Sequence, residues 1–180
     1  MSRLTPPLGP RDHTQGSARA IVQLVEYGDF ECPHCGAAYP IVKAIQQAMG
    51  AKLSFAYRHF PLTRIHPHAE HAAEVAEAAG EHHKFWEMHD LLFQNQGAFE
   101  DEQLVAYAER LGIDPAGVTQ ALRTEQFQPR VRADFASGVR SGVNGTPTFF
   151  INGFRYDGGA DTLLDALTEA TIDAPLKSGD

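Results

Sequence analysis

A mixed α/β fold with an all-helical insertion is the fold class this sequence predicts, on three observations. Residues 20–61 run strand, helix, strand; residues 62–142 carry helical patterns alone; and in residues 143–172 strand signals return before one last helix. No linker, repeat or low-complexity stretch divides the chain. All 180 residues are therefore expected to form a single domain, with 62–142 inserted into a core built from 20–61 and 143–172.

The first strand is expected over Ala20 to Tyr27, a short run rich in β-branched residues that Gly28 and Asp29 break. From Pro33 to Met49, Cys35, Ala38, Tyr39, Val42, Ile45 and Met49 recur at helical spacing and Gly50 supplies a stop. Pro40 should kink that helix. A second strand, Lys52 to His59, completes a unit of the size of a right-handed βαβ crossover. Five helices are expected next: His68 to Ala79, closed by Gly80; a face made by Phe85, Met88, Leu91 and Leu92; another made by Leu104, Ala108 and Leu111; a short helix opened by Asp114 and Pro115; and one carried by Val131, Phe135 and Val139. Thr148 to Ile151 and Phe154 to Tyr156 flank Asn152-Gly153, a strong signal for a two-residue hairpin. A last helix is expected near Asp161 to Ala170.

Composition narrows the function. With 43% hydrophobic and 21% charged residues, the chain has the make-up of a globular protein. A net charge of -8 offers no clustered positive field for nucleic acid or an anionic membrane. No stretch approaches the ~20 apolar residues of a membrane span, so no membrane insertion is expected. Met1 to Pro10 holds three prolines and no apolar run of signal-peptide length. A cytoplasmic location is expected on that ground, an exported form only if a leader has been removed.

The two cysteines, Cys32 and Cys35, stand where the first strand gives way to the first helix. Two thiols do not make a disulfide framework, and a structural zinc site usually needs four ligands, so redox chemistry is the simpler reading. A pair of small buried hydrophobes is the bland alternative. A helix start gathers unpaired N–H groups and the positive end of the macrodipole, which favours a thiolate at Cys32. Cys35, one turn on, can reach Cys32 and should be covered by the core, leaving an exposed attacking sulfur and a protected resolving one. His34 can place a charge or donor near the Cys32 sulfur, unless it is a plain exposed turn residue. A stabilised thiolate favours the dithiol, and so an oxidising centre. Glu26 falls on the strand face of Val22 and Leu24, where burial would raise its pKa and suit it to carry the proton of Cys35; a strand-end carboxylate that reaches water is the other reading.

Glu26 to Cys35, Glu-Tyr-Gly-Asp-Phe-Glu-Cys-Pro-His-Cys, resembles the active-site region of the DsbA-like thiol-disulfide oxidoreductases of the thioredoxin superfamily. Tyr57 to Leu62, Phe85 to Leu92 and Gly142 to Gly153 are similar to the same family, so the resemblance covers about Asp12 to Ala170. It implies a thioredoxin fold with a helical insert, Cys32 as nucleophile, Cys35 as resolving thiol, Pro33 and His34 between them, and Pro147 as a cis-proline facing the sulfurs. Propensity alone would favour a trans bond there. A cis bond would present Thr146 backbone groups to an extended substrate, as an added strand.

Protein thiols and disulfides are the expected partners, with an unidentified redox protein to recycle the pair; a monomer, no cofactor beyond the Cys32-Cys35 disulfide and no metal are expected. Glutathione-using transferases and isomerases of the kappa-class lineage share the outline, but they typically lack the second cysteine, and Cys35 argues against them. A disulfide reductase of the cytoplasm is a further alternative. His66, His68, His71, His82, His83 and His89 match no metal-binding run and are expected on solvated helix faces.

Overall fold

In a computed structural model, which describes residues 2–173, the chain builds a five-stranded sheet in the order β1-β3-β2-β4-β5. The strands are β1 (His13–Gly16), β2 (Val22–Gly28), β3 (Leu53–His59), β4 (Thr148–Ile151) and β5 (Phe154–Tyr156). Between β2 and β3 runs α1 (Pro33–Met49), and that crossover makes β2 and β3 parallel; every other pairing is antiparallel. Five helices lie between β3 and β4: α2 (Ala69–Glu81), α3 (Phe85–Gln94), α4 (Asp101–Arg110), α5 (Pro115–Arg123) and α6 (Gln128–Arg140). A 3-10 turn at Ala160–Thr162 leads into α7 (Leu163–Asp173). The fold is the mixed α/β architecture the residue patterns predict.

Central β2 is buried on both faces, as a strand covered on two sides must be. Val22 and Leu24 join the larger core, with Val42 and Ile45 of α1, Val75 of α2, Leu92 of α3 and Leu163 of α7. Val25 and Tyr27 face the smaller core, with Leu4, Phe60, Val143 and Phe150, against which Phe135 of α6 packs. Helices α2 to α5 of the insert thus share an apolar core with the α1 face of the sheet, while α6 packs on the other face. Asn152 and Gly153 both adopt positive φ, 50° and 82°, which the mirror-image hairpin turn requires.

Two features depart from the sequence reading. β1 carried no apolar alternation, since its residues are His-Thr-Gln-Gly; its pairing with β3 makes it a strand. The Val131, Phe135, Val139 face is only partly right, because Val139 is 56% exposed. The buried stripe of α6 is Val131, Asp134, Ser137 and Gly138, and Gly138 is needed where Phe60 and Tyr27 leave no room for a Cβ. The α1 helix runs through Pro40 as one element.

Candidate active site

Cys32 is the N-cap of α1, with φ -71° and ψ 122°, and Pro33 opens the first turn. Extended backbone at the cap followed by a proline, whose missing N–H costs nothing there, is what the Cys-Pro sequence encodes. The Cys32 carbonyl accepts from Gly36 N–H (3.0 Å), and Cys32 N–H donates to Asp29 (3.1 Å). Across the site, the Thr146–Pro147 peptide is cis, and the Cys32 thiol donates to the Thr146 carbonyl at 3.5 Å. The sheet brings this loop to the sulfurs because β4 pairs with β2, Thr148 opposite Tyr27.

Cys32 is not the exposed sulfur the helix position suggested. It is 3% exposed and Cys35 0%, because the Thr146 loop covers the helix start as well. Beside them a groove of about 420 Å³ opens between α1 and the β4 and β5 loops, lined by His34, Ala38, Ile41, Thr146, Pro147 and Phe149. His34 is exposed at the rim of this groove. The backbone N–H of His34 favours the charged Cys32 sulfur.

The two thiols are driven apart as acids. Cys32 is lowered to about 5: the Cys35 thiol contributes most, burial opposes, and the neighbouring Thr146 and the N–H groups of Cys35 and His34 add to it. Cys35 is pushed well up, by burial first, then by its bond to Cys32 and the negative field of Glu26. Glu26, 3% exposed and opposite both Tyr57 and Phe149, is pushed up to about 8 by burial, with the Cys32 charge adding. The water-reaching reading of this carboxylate is therefore wrong.

Several residues around the site gave no signal in the sequence. Asp29, read there only as a strand breaker, is buried; it accepts from Glu31 N–H (2.8 Å), Leu62 N–H (2.8 Å) and His66 Nδ1 (2.7 Å), while its own N–H points at the Cys35 sulfur (3.5 Å). Glu31 accepts from His68 N–H (2.8 Å). Gln96, in the turn after α3, donates to the carbonyls of Phe30 (2.8 Å) and Cys32 (2.9 Å). Each spans more than thirty positions to its insert or loop partner, a distance at which local pattern is silent. The histidines are not uniformly solvated either: His66 is tied to Asp29, and His89 is buried among Phe30, Tyr57 and Phe93. His59, Glu77 and Asp134 bring three potential metal donors within 4.8 Å, but Glu77 already accepts from His13 and His59, and Arg130 is paired with Asp134.

A sheet with this order and a cysteine pair at the first crossover helix defines the thioredoxin class of fold. A family model described as Thioredoxin (Thioredoxin_4) matches residues 9–170, and the chain belongs to that family. Among solved structures, BdbD from Bacillus subtilis in its oxidised form matches with a TM-score of 0.81 at 22% identity, covering 89% of this chain and 93% of that one. The thiol-disulfide exchange protein alpha-DsbA2 from Wolbachia pipientis matches with a TM-score of 0.76 at 20% identity, covering 89% and 87%. The fold of the DsbA-like proteins, implied by the sequence resemblance, is borne out.

In sequence, the chain is 44% identical over 177 residues to the Na(+)/H(+) antiporter NhaA 1 of Salinispora arenicola, covering 97% of this chain and 27% of that protein. The chain spans about a quarter of the length of such relatives. The expected cytoplasmic location is overturned: the sequence relatives are antiporters, and a periplasmic thioredoxin-like protein from Salmonella enterica serovar Typhimurium matches with a TM-score of 0.72 at 20% identity over 94% of each chain. The apolar content of the first ten residues was no guide to compartment.

Proposed function

We propose that this chain is a protein thiol-disulfide oxidoreductase working through Cys32 and Cys35, with an oxidising centre. The observation that carries the reading is the split between the two thiols: Cys32 lowered to about 5 and Cys35 raised, one turn apart at a helix start. A substrate thiolate attacks the Cys32 sulfur of the Cys32-Cys35 disulfide; the S–S bond breaks, and Cys35 leaves and takes up a proton. A second substrate thiol then attacks the substrate sulfur of the mixed disulfide, and Cys32 departs as the stabilised thiolate. The substrate loses two electrons to the cysteine pair, which a redox partner must reoxidise.

Glu26 is placed to supply the proton to Cys35, because a carboxyl pushed up to about 8 is largely protonated at neutral pH. Thr146 and Pro147 border both the sulfur and the groove, so an extended segment lying there would run beside the Thr146 carbonyl. The solved neighbour named for thiol-disulfide exchange supports the reading. The cation exchange for which the sequence relatives are named needs membrane-spanning helices, and no helix among the described residues is long and apolar enough to cross a membrane.

The test is the equilibrium of the purified protein with a glutathione buffer, together with oxidation of a dithiol peptide. A pair that stays reduced in moderately oxidising buffer and oxidises the peptide at near-stoichiometric yield supports the reading. A pair as hard to reduce as a structural disulfide, or one inert toward the peptide, overturns it.

A further inference from the structure

We propose that Gln96, a residue of the helical insert, is a positioning residue that holds the Cys32 loop in the geometry its thiolate requires. The inference rests on the exchange reaction proposed above. Its ground is a single amide used twice: Gln96 Nε2 donates to both the Phe30 and the Cys32 carbonyls, on either side of Glu31. The Cys32 carbonyl also accepts the first i to i+4 bond of α1 from Gly36, so Gln96 fastens the residue that caps the helix. Backbone N–H groups of His34 and Cys35 can favour a charged Cys32 sulfur only while that cap keeps its extended φ and ψ.

A second, independent observation points to the same amide. A Cβ on Gly36 would overlap the Gln96 side-chain amide, whose oxygen, carbon and nitrogen are its three nearest atoms. Glycine in the first turn of a helix costs ~1 kcal/mol against alanine, and here it makes the room in which Gln96 reaches the loop. Gly97 follows with φ +87°, so a backbone conformation that side chains rarely adopt turns the chain directly after the amide. The insert and the redox loop are therefore fitted to each other at one point, by a donor on one side and an absent side chain on the other.

If Gln96 acts this way, its loss leaves the Phe30 carbonyl without that donor and lets the cap relax. The thiolate becomes less favoured, and the disulfide correspondingly more stable. In Gln96→Ala, the thiolate absorbance of Cys32 should titrate at higher pH than in the parent, and the glutathione equilibrium should move toward the disulfide by roughly three- to tenfold, the size of effect expected from one or two modest hydrogen bonds. Gln96→Glu, which cannot donate when ionised, should shift both in the same direction and further. Gly36→Ala displaces the amide from the other side and should reproduce Gln96→Ala. The two changes should not add in Gly36→Ala/Gln96→Ala, because the second finds nothing left to displace.

Urea unfolding of each variant separates this from general destabilisation. Variants that lose stability while the thiolate titration and glutathione equilibrium stay put would overturn the proposal, as would additive shifts in the double variant. Failure of the parent protein itself to exchange disulfides would instead remove the proposed function, a result visible before any variant is made.

Discussion

Cys35 lies one turn along α1 from Cys32, and the pairing of its thiol with the Cys32 sulfur moves the two acids in opposite directions, Cys32 down to about 5 and Cys35 up. It is the largest cause acting on Cys32, ahead of the N–H groups at the helix start. Cys35 therefore tunes the nucleophile before it resolves anything. Cys32→Ser should abolish turnover, whereas Cys35→Ser should accumulate mixed disulfides with oxidised substrates, because in that reverse direction Cys32 attacks and Cys35 is the thiol that displaces the substrate from it. Cys35→Ala, which removes the donor, should raise the Cys32 titration further than Cys35→Ser, which keeps a hydroxyl. Thiolate absorbance against pH and trapping on non-reducing gels would check both; equal trapping by the two serine variants would sink the division of roles.

Glu26 should make the protein less stable as pH rises. Its folded pKa, about 8, lies above the 4.5 expected in an unfolded chain, so the native state holds a proton that the unfolded state gives up. The penalty is absent below pH 4.5, grows through the interval, and levels off above about 8. Glu26→Gln removes the charge but buries an amide, so a net gain of about 1–3 kcal/mol is expected at pH 7, and no gain at pH 4. The same variant should slow the step in which Cys35 exchanges its proton. Urea curves at the two pH values give the first result and single-turnover kinetics the second; a gain that ignores pH would show that Glu26 is ionised when folded.

How much of this was legible depended on how locally each feature is written. The bounds of α1 follow from Pro33 and Gly50, the hairpin from Asn152-Gly153, and the α5 start from Asp114, whose carboxylate accepts from Ala116 and Gly117. The cysteine pair is equally local. Burial of Cys32 was not, since it depends on Thr146 arriving 114 positions later. Strand β1 lacks any apolar alternation and exists through its partner, and Val139 lost its place in the core to Gly138 because Phe60 and Tyr27 needed the space. Glu26 was readable from strand alternation as buried, although that pattern alone did not decide between burial and a water-reaching end.

Glu77 should be a stability residue and not a metal ligand. Burial pushes its carboxyl up, but hydrogen bonds from His13 (2.9 Å) and His59 (2.8 Å) and their fields outweigh that and leave it below the usual carboxylate range. A depressed carboxylate contributes stability above the unfolded value of 4.5 and loses it as pH falls below that. Glu77→Gln should cost about 2–4 kcal/mol at pH 7, the scale of breaking a buried charge network, and the cost should shrink toward pH 3. Denaturant midpoints with and without added zinc would check it. A zinc-dependent rise in the parent, lost in the variant, would instead mark the cluster as a metal site.

Reduced protein should overtake oxidised protein in stability as pH rises, if Cys32 is held as a thiolate. Its folded pKa, about 5, lies below the 9.0 of an unfolded thiol, so the contribution is fully present above pH 9.0, declines through neutral pH and is gone below about 5. Within that window the slope is at most ~1.4 kcal/mol per pH unit, and contact of the site with solvent reduces it. Opposing this, the oxidised form has a cross-link whose loop is so short that chain entropy yields only about 2 kcal/mol. The two effects are of similar size, so a crossing is expected inside the window, with reduced protein unfolding at higher urea by pH 7. Glu26 would blur the result, since its own penalty grows over part of the same range and the Cys32 charge enlarges it in the reduced form alone. Paired unfolding curves from pH 4 to 9 are therefore best recorded in the Glu26→Gln background. A gap between the two forms that does not change with pH, or oxidised protein the more stable throughout, would mean that Cys32 is an ordinary thiol when folded and that the centre is not an oxidant.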